Sequence, residues 1–314
     1  MRTEDQIRHK IEEIEEDLLL RQDGLLDRSL LAAYVGYLKD VKTHPGFARH
    51  SFVGPRRVRV FRRIVHICDR DTLACLNRLA LAILLLEGYR LLPQRCLPGA
   101  VSGLCLKWFG RMFEDLSRQP DSFYSLDSRS FLFDLSVCTL NSIPVGGPWI
   151  VHISRIGLLP LIGRPPFQCF RYVHFVLREM GGVRPVCVIH THERYLLGFS
   201  AREMKFAYAR IARMMVENPG LRGVYRKSWF LDPMIAQVSP HLAYLREFPL
   251  RHGARFFGCP VRPEDIRDAL KLSPIRRRLY REGKYHPAVQ AYVWPRASVI
   301  RWAETDPEAA ANGA

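Results

Sequence analysis

The chain has 314 residues, of which 48% are hydrophobic and 25% charged, and this composition excludes an intrinsically disordered protein. Its formal net charge of +16 favours anionic partners: a phosphate-bearing donor, an acidic carrier protein, an anionic membrane surface and, second to these, nucleic acid. The eight cysteines form no Cys-x-x-Cys pair, which excludes a zinc ribbon and favours reduced thiols in a cytoplasmic protein.

Residues 1–118 are predicted to form a helical region. Apolar residues recur there at helical spacing in four segments, which are residues 5–21, 25–41, 71–92 and 104–116. The first residues lack the apolar stretch of a signal peptide. The longest apolar run, residues 79–86, is shorter than the roughly 20 residues that a membrane-spanning helix needs. We therefore expect a cytoplasmic protein, with peripheral attachment to the inner face of the membrane as an option.

Residues 119–303 are predicted to form a mixed α/β catalytic domain, and residues 304–314 a flexible tail. The first predicted elements are a hairpin made of strands at 130–140 and 149–159, and a helix at 167–180. A strand at 184–192 follows, then a helix that begins with a capping box, a strand at 221–230 and a last strand at 288–294. The predicted fold class is thus α+β or α/β, with a mixed sheet after a helical N-terminal region.

Two histidines, His190 and His192, stand at the end of the predicted strand 184–192. Residues two apart on a strand point to the same face, so we expect their imidazoles side by side and Glu193 on the opposite face. The pair has three possible roles: metal ligation completed by a carboxylate such as Asp232, proton transfer or substrate contact, or structural capping of the strand.

A second polar strand end contains Ser228 and Asp232. Ligands collect outside the carboxyl ends of parallel strands, so these residues would approach the histidines if the two strands are neighbours. The alternative is that Asp232 caps the helix after Pro233. Further along, Arg246 is a candidate for binding phosphate or carboxylate, the alternative being a surface helix.

The C-terminal part places Leu279 and Tyr280 in a helix, Gly283 just after it, and then the last strand. This arrangement resembles the final helix and strand of the GNAT acyltransferase superfamily. The resemblance implies a GNAT-like domain, an acyl-CoA or acyl-carrier-protein thioester as donor, and Tyr280 as the acid that protonates the leaving thiolate.

The pyrophosphate-binding loop of that superfamily, R/Q-x-x-G-x-G/A, is missing here. The chain has Arg194-Tyr-Leu-Leu-Gly198-Phe-Ser200 in its place. One glycine and a serine at the helix N-cap can still direct backbone N–H groups toward a phosphate. We therefore expect Arg194, Gly198, Ser200 and Arg246 to hold the donor, which leaves room for a longer acyl donor or a carrier protein.

These features favour an N-acyltransferase that moves an acyl group from a thioester to an amine, including amphiphilic or lipid-like acceptors. His190 or His192 would accept the amine proton, with Glu193 or Asp232 as the alternative base and Tyr280 as the acid, and no metal is favoured. A metal-dependent oxygenase or hydrolase built on His190, His192 and Asp232 is one alternative. A non-catalytic protein that binds nucleic acid or membrane through the arginine-rich segment 55–63 is the other.

Overall fold

The computed structural model describes residues 4–21, 28–40, 55–306 and 308. The described chain divides into two compact units. Unit 1 is drawn from Met1–Pro144 and His192–Arg194, and unit 2 from Val145–Thr191 and Tyr195–Ala314. The division falls later than the predicted boundary at residue 118. Residues 307 and 309–314 of the predicted tail lie outside the described residues.

Within the described residues, unit 1 contains six α-helices: α1 Glu4–Arg21, α2 Arg28–Asp40, α3 Pro55–Ile67, α4 Arg70–Leu91, α5 Gly99–Arg118 and α6 Arg129–Cys138. The central element is α4, which contacts α1, α2, α5 and α6. The side chain of Asp69 caps α4 by accepting a hydrogen bond from the Thr72 N–H at 2.8 Å. The helical prediction for this region is therefore confirmed over the described residues.

The stretch Arg70–Gln94, which includes α4, is long and apolar enough to cross a membrane by length and composition. However, 67% of its most apolar window is buried inside the protein. This is the pattern of a core helix. A close backbone approach fits that role, since a Cβ at Gly88 of α4 would overlap the carbonyl oxygen of Cys138 in α6.

The predicted strand at residues 130–140 is wrong, because this segment forms the helix α6. Ser128 begins the helix, and its Oγ accepts a hydrogen bond from the N–H of Phe131 at 3.3 Å. Phe131, Phe133, Leu135 and Val137 alternate in sequence, which suggested a strand. The residues between them are also buried toward the C-terminal end of α6, so the alternation does not mark a buried and a solvated face.

The arginine-rich segment 55–63 is helical in α3, whereas an extended strand would have placed alternate residues on one face. The ring of Phe61 stacks on Tyr37 of α2 at 4.9 Å. Arg59, Arg62 and Arg63 are exposed, while the side chains of residues 55–57 lie outside the described part. A basic solvated face on α3 accounts for these arginines.

The sheet has six strands: β1 Ser142–Gly146, β2 Trp149–Arg155, β3 Pro185–Thr191, β4 Gly223–Ser228, β5 Arg255–Cys259 and β6 Val289–Pro295. Their order is β1-β2-β3-β4-β6-β5. The central pair β3 and β4 is parallel, whereas β2–β3, β4–β6 and β5–β6 are antiparallel. The prediction of a mixed sheet after a helical region is confirmed, and the first strand of the hairpin is β1 rather than residues 130–140.

Helices of unit 2 cover both faces of the sheet. The helix α7 Pro166–Met180 packs on one face, where its Tyr172 and Val176 belong to a core with Val188 and Tyr225. The other face is covered by α8 Ala201–Glu217 and α13 Arg296–Thr305; Tyr208 of α8, for example, contacts the ring of Trp294 at 5.1 Å. We call these the α7 side and the α8 side. The remaining helices are α9 Ile235–Val238, α10 Tyr244–Arg251, α11 Pro263–Lys271 and α12 Pro274–Arg281.

Candidate functional site

The two parallel strands at the centre of the sheet separate at their carboxyl ends. Their ladder covers two positions and ends where Val188 of β3 pairs with Tyr225 of β4. Beyond it, residues 189–191 of β3 pair with β2, and residues 226–228 of β4 pair with β6. The inner edges of these strand ends are therefore not paired with each other; we call the place between them the opening, and open α/β sheets bind ligands at this position.

Arg226 lies at this opening on the α8 side. Its side chain is 2% exposed, and its Nη2 donates a hydrogen bond to Thr191 Oγ1 of β3 at 3.0 Å. The guanidinium also lies over the rings of Trp149, at 4.6 Å, and Phe230, at 5.7 Å. Its Nη1 is buried and has no hydrogen-bond partner among the described residues.

Phenolic hydroxyl groups surround Arg226. The hydroxyls of Tyr208 and Tyr292 are 2.6 Å apart, and burial raises the pKa of Tyr208 while the charge of Arg226 partly offsets that effect. Burial also raises the pKa of Tyr244 to about 12, again against the charge of Arg226. The Tyr244 hydroxyl is therefore protonated at neutral pH, and it too is buried with no hydrogen-bond partner within the described chain. Arg226 Nη1 and the Tyr244 hydroxyl are thus two buried donors for which the described chain supplies no acceptor.

Arg276 is a second buried arginine, and its hydrogen bonds differ from those of Arg226. Arg276 is 4% exposed and lies over Trp229, but it donates to the carbonyl oxygen of Ala269 and to Ser239 Oγ, both at 2.6 Å. No described carboxylate forms an ion pair with either arginine, but Arg226 differs from Arg276 in having a buried donor, Nη1, without a hydrogen-bond partner among the described residues. A buried cation without a counter-ion is costly, and Arg226 also has a donor without a partner, so it is a candidate for binding an anionic ligand.

His190 and His152 form a pair on the α7 side of the strand end. Nε2 of His190 lies 2.9 Å from Nδ1 of His152 on β2, and the rings stack with their centroids 4.8 Å apart. Both side chains are half-buried. One ring donates and the other accepts, so the pair shares a proton and can take up or pass on another.

His192 and Arg194 have a structural arrangement within unit 1. The imidazole of His192 is fully buried, with Nε2 at 3.0 Å from Asp134 Oδ1 and Nδ1 accepting from the N–H of Arg194 at 3.3 Å. Arg194 pairs with Asp134 Oδ2 at 3.1 Å and with Asp115. Since β3 ends at Thr191, the rule that residues two apart share a face does not apply to His192. The arrangement matches the third role considered for this histidine, structural capping.

Asp232 caps local backbone as well. Its Oδ1 accepts from the N–H of Met234 and its Oδ2 from the N–H of Ala288, both at 2.9 Å. Asp232 thus holds the turn before α9 and the segment before β6, whereas the N-cap of α9 is Met234, which has no side-chain cap. Glu193, near the surface, lies 3.4 Å from Arg129 Nη1 within unit 1.

The residues expected to hold the donor phosphate are spread over several local structures. Ser200 caps α8 through its Oγ, which accepts from the N–H of Glu203 at 3.2 Å. Gly198 packs against the β1–β2 turn, where a Cβ would come within 3.0 Å of Gly147 Cα. Arg246 donates to the carbonyl oxygen of Leu231 at 2.7 Å and to the side chain of Gln290.

Tyr280, the expected acid, is half-buried on α12 and contacts the edge of His286 at 5.8 Å. Within the described residues, no group of three or more histidines, cysteines or carboxylates is arranged so that it could hold a metal ion. His190 and Asp232 have the separate partners given above. The residues at the opening are thus His190, His152, Thr191 and Arg226, of which only His190 is among the predicted site residues.

His152 was not predicted, because its role depends on the register of β2 against β3. Arg226 was not predicted, because the sequence does not show whether an acidic side chain pairs with it. A sequence signal for Arg226 did exist, since it lies in a predicted central strand between apolar residues and the polar strand end.

No protein-family model, no curated protein and no solved structure matches this chain.

Proposed function

We propose that this protein is an N-acyltransferase whose thioester donor lies in the opening between β3 and β4. The parting of these two strands carries the proposal. Their inner edges present backbone N–H and C=O groups that lack a partner in the neighbouring strand, and an extended chain can add to such an edge. The pantetheine arm of CoA or of a carrier protein is an extended chain with amide groups. The resemblance of the C-terminal part to the GNAT superfamily supports the same donor.

The proposed reaction needs a proton acceptor. The amine nitrogen attacks the thioester carbonyl carbon, the C–N bond forms, the C–S bond breaks, and the amine loses a proton while the thiolate gains one. The His190–His152 pair is the best placed described group to accept the amine proton, because it stands beside the opening and an imidazole can act as a general base. Tyr280 remains the acid that the resemblance implies.

Arg226 defines the second substrate. We assign it to an anionic group of the acceptor, with Nη1 and the Tyr244 hydroxyl as donors. An amine that also carries a carboxylate, such as an amino acid, fits both ends of this arrangement. Because β3 and β4 part, residues on both sides of the sheet border the same opening.

The test is to incubate the purified protein with acyl-CoA of several chain lengths, acyl-carrier-protein thioesters and amino acids, and to detect amide products by mass spectrometry. His190→Ala is expected to lower kcat by about a hundredfold, the usual size of a general-base contribution. His241→Ala removes an exposed histidine and serves as the control, with activity near that of the wild type. Failure to bind or consume any thioester would overturn the proposal. Full activity of His190→Ala would remove the base assignment.

A further inference from the structure

An outward face of α7 is apolar and exposed. Phe167, Phe170, Val173 and Leu177 lie on it, and the side chains of Phe167, Phe170 and Leu177 are 68%, 67% and 63% exposed. At 3.6 residues per turn the four residues occupy an arc of about 120°. The opposite arc, with Tyr172, Phe175, Val176 and Met180, packs on the sheet. We call the four exposed residues the α7 surface.

The segment that leads into α7 extends this apolar character. Leu158 and Ile162 are both exposed there. They flank the short helical turn Leu159–Leu161, which contacts α7, and Cys169 Sγ of α7 lies 3.4 Å from the carbonyl oxygen of Leu161. Together, these large apolar side chains on the loop and on α7 form an exposed hydrophobic patch of the kind that marks a site of contact with a protein or a membrane.

The charge around the α7 surface is almost entirely positive. Residues 155–184 contain five arginines and one acidic residue, Glu179. Arg171 lies over the ring of Phe167 at 5.7 Å, so a cation stands directly beside the exposed aromatic side chains. Exposed Phe and Leu flanked by arginines are the features of a helix that lies in the interface of an anionic membrane.

A groove of about 420 Å³ adjoins the α7 surface. Its lining combines aromatic and aliphatic side chains with two arginines and a histidine: Phe170, Phe175, Phe256 and Phe257 with Arg171, Arg255 and His174. Phe170 belongs to both the groove and the exposed face. A groove with apolar walls and cationic groups suits a molecule with an acyl chain and a phosphate.

From these observations we infer that the α7 surface and its groove dock onto a bilayer that contains anionic phospholipid. The apolar side chains enter the interface, and the arginines contact lipid phosphates. A second copy of the chain fits less well, because the same face would bring one set of arginines against the other. This inference does not depend on the proposed acyltransferase activity, since it uses other residues and needs no substrate.

The experiment measures co-sedimentation of the full chain with phosphatidylcholine vesicles, with and without phosphatidylglycerol. We expect binding that requires phosphatidylglycerol and weakens with salt. The double variant Phe167→Ser/Phe170→Ser should lower the partition coefficient by at least about tenfold, because two rings leave the interface. Arg171→Gln/Arg178→Gln should lower it by about tenfold on anionic vesicles, because two attractive charges are lost whose effect salt partly screens.

A matched control is available on another part of unit 2. Leu272 and Ile275 are 72% and 56% exposed, so Leu272→Ser/Ile275→Ser removes comparable apolar surface away from α7. This variant should bind vesicles as the wild type does, and circular dichroism checks that all variants fold. Unchanged binding after the phenylalanine substitutions would overturn the inference and point to another surface, such as α3. A dimer that the same substitutions dissociate, with no vesicle binding, would also overturn it.

Discussion

Replacing Arg226 by methionine should leave the stability nearly unchanged and lower the activity. Methionine has a similar length and no charge, so it fills the space and removes the buried cation. The substitution loses one charge-assisted hydrogen bond to Thr191, worth about 1.5–3 kcal/mol, and two cation–π contacts of about 1 kcal/mol each. It also relieves the desolvation of a cation that lacks a counter-ion, which is worth several kcal/mol. We expect a free energy of unfolding within about 1 kcal/mol of the wild type.

Arg276→Met provides a comparison in which the desolvation contribution largely cancels. Arg276 is buried to the same degree and lies over one ring, but it makes two hydrogen bonds, one of them to a backbone carbonyl oxygen. Its loss leaves that carbonyl oxygen and the Ser239 hydroxyl without a donor. We therefore expect Arg276→Met to be less stable than Arg226→Met by about 2 kcal/mol.

Urea unfolding followed by circular dichroism measures both variants, and the acyl-transfer assay supplies the second readout. Arg226→Met should lose about a hundredfold in kcat/KM for a carboxylate-bearing acceptor, the equivalent of about 3 kcal/mol. The reasoning is refuted if Arg226→Met is destabilised by more than about 3 kcal/mol, because the guanidinium would then be a structural link. It is also refuted if acceptors without a carboxylate and acceptors with one lose activity equally.

Three further predictions concern packing, the polar network of unit 1 and pH. Gly88→Ala should lower the free energy of unfolding by about 3 kcal/mol, because the new Cβ would overlap backbone atoms. Gly103→Ala should raise it by about 0.5 kcal/mol, because nothing lies within 4 Å of that Cβ and alanine favours the helix. Thermal melts distinguish these outcomes. His192→Ala should cost about 3 kcal/mol in urea unfolding, because Asp134 is left buried with one partner fewer, and a loss below about 1 kcal/mol would contradict the network. Burial raises the pKa of Cys187 from 9.0 to about 12, so between these values the thiol ionises only in the unfolded chain. The urea midpoint should therefore fall as the pH rises above about 9. A midpoint that stays constant up to about pH 11 would contradict this.

Local patterns predicted much of the fold. The helical segment 71–92, which is part of α4, and the Ser200 cap of α8 depend on neighbouring residues and on helical periodicity, which the sequence shows directly. The error at residues 130–140 has the opposite origin. A helix buried on most sides can carry a strand-like alternation, and only its packing against α4 distinguishes the two.

The candidate site was less accessible from sequence because its properties depend on long-range pairing. His190 and His152 are 38 positions apart and meet only through the register of β2 against β3. The sequence shows Arg226 in a predicted strand, but it does not show whether one of the 31 acidic residues pairs with it. Asp232 and His192 looked chemically active, yet nearby backbone groups and Asp134 occupy their polar atoms.

The two proposals assign different sides of the same sheet to different tasks. Arg226 lies on the α8 side, among Trp149, Phe230 and the tyrosines, whereas α7 covers the other side and presents its phenylalanines outward. A substitution at Arg226 should therefore leave vesicle binding unchanged, and Phe167→Ser/Phe170→Ser should leave the turnover of water-soluble substrates unchanged. Coupling would arise only for an amphiphilic acceptor held in the bilayer. Its turnover alone would depend on both sides of the sheet, and this dependence separates a lipid-like acceptor from a free amino acid.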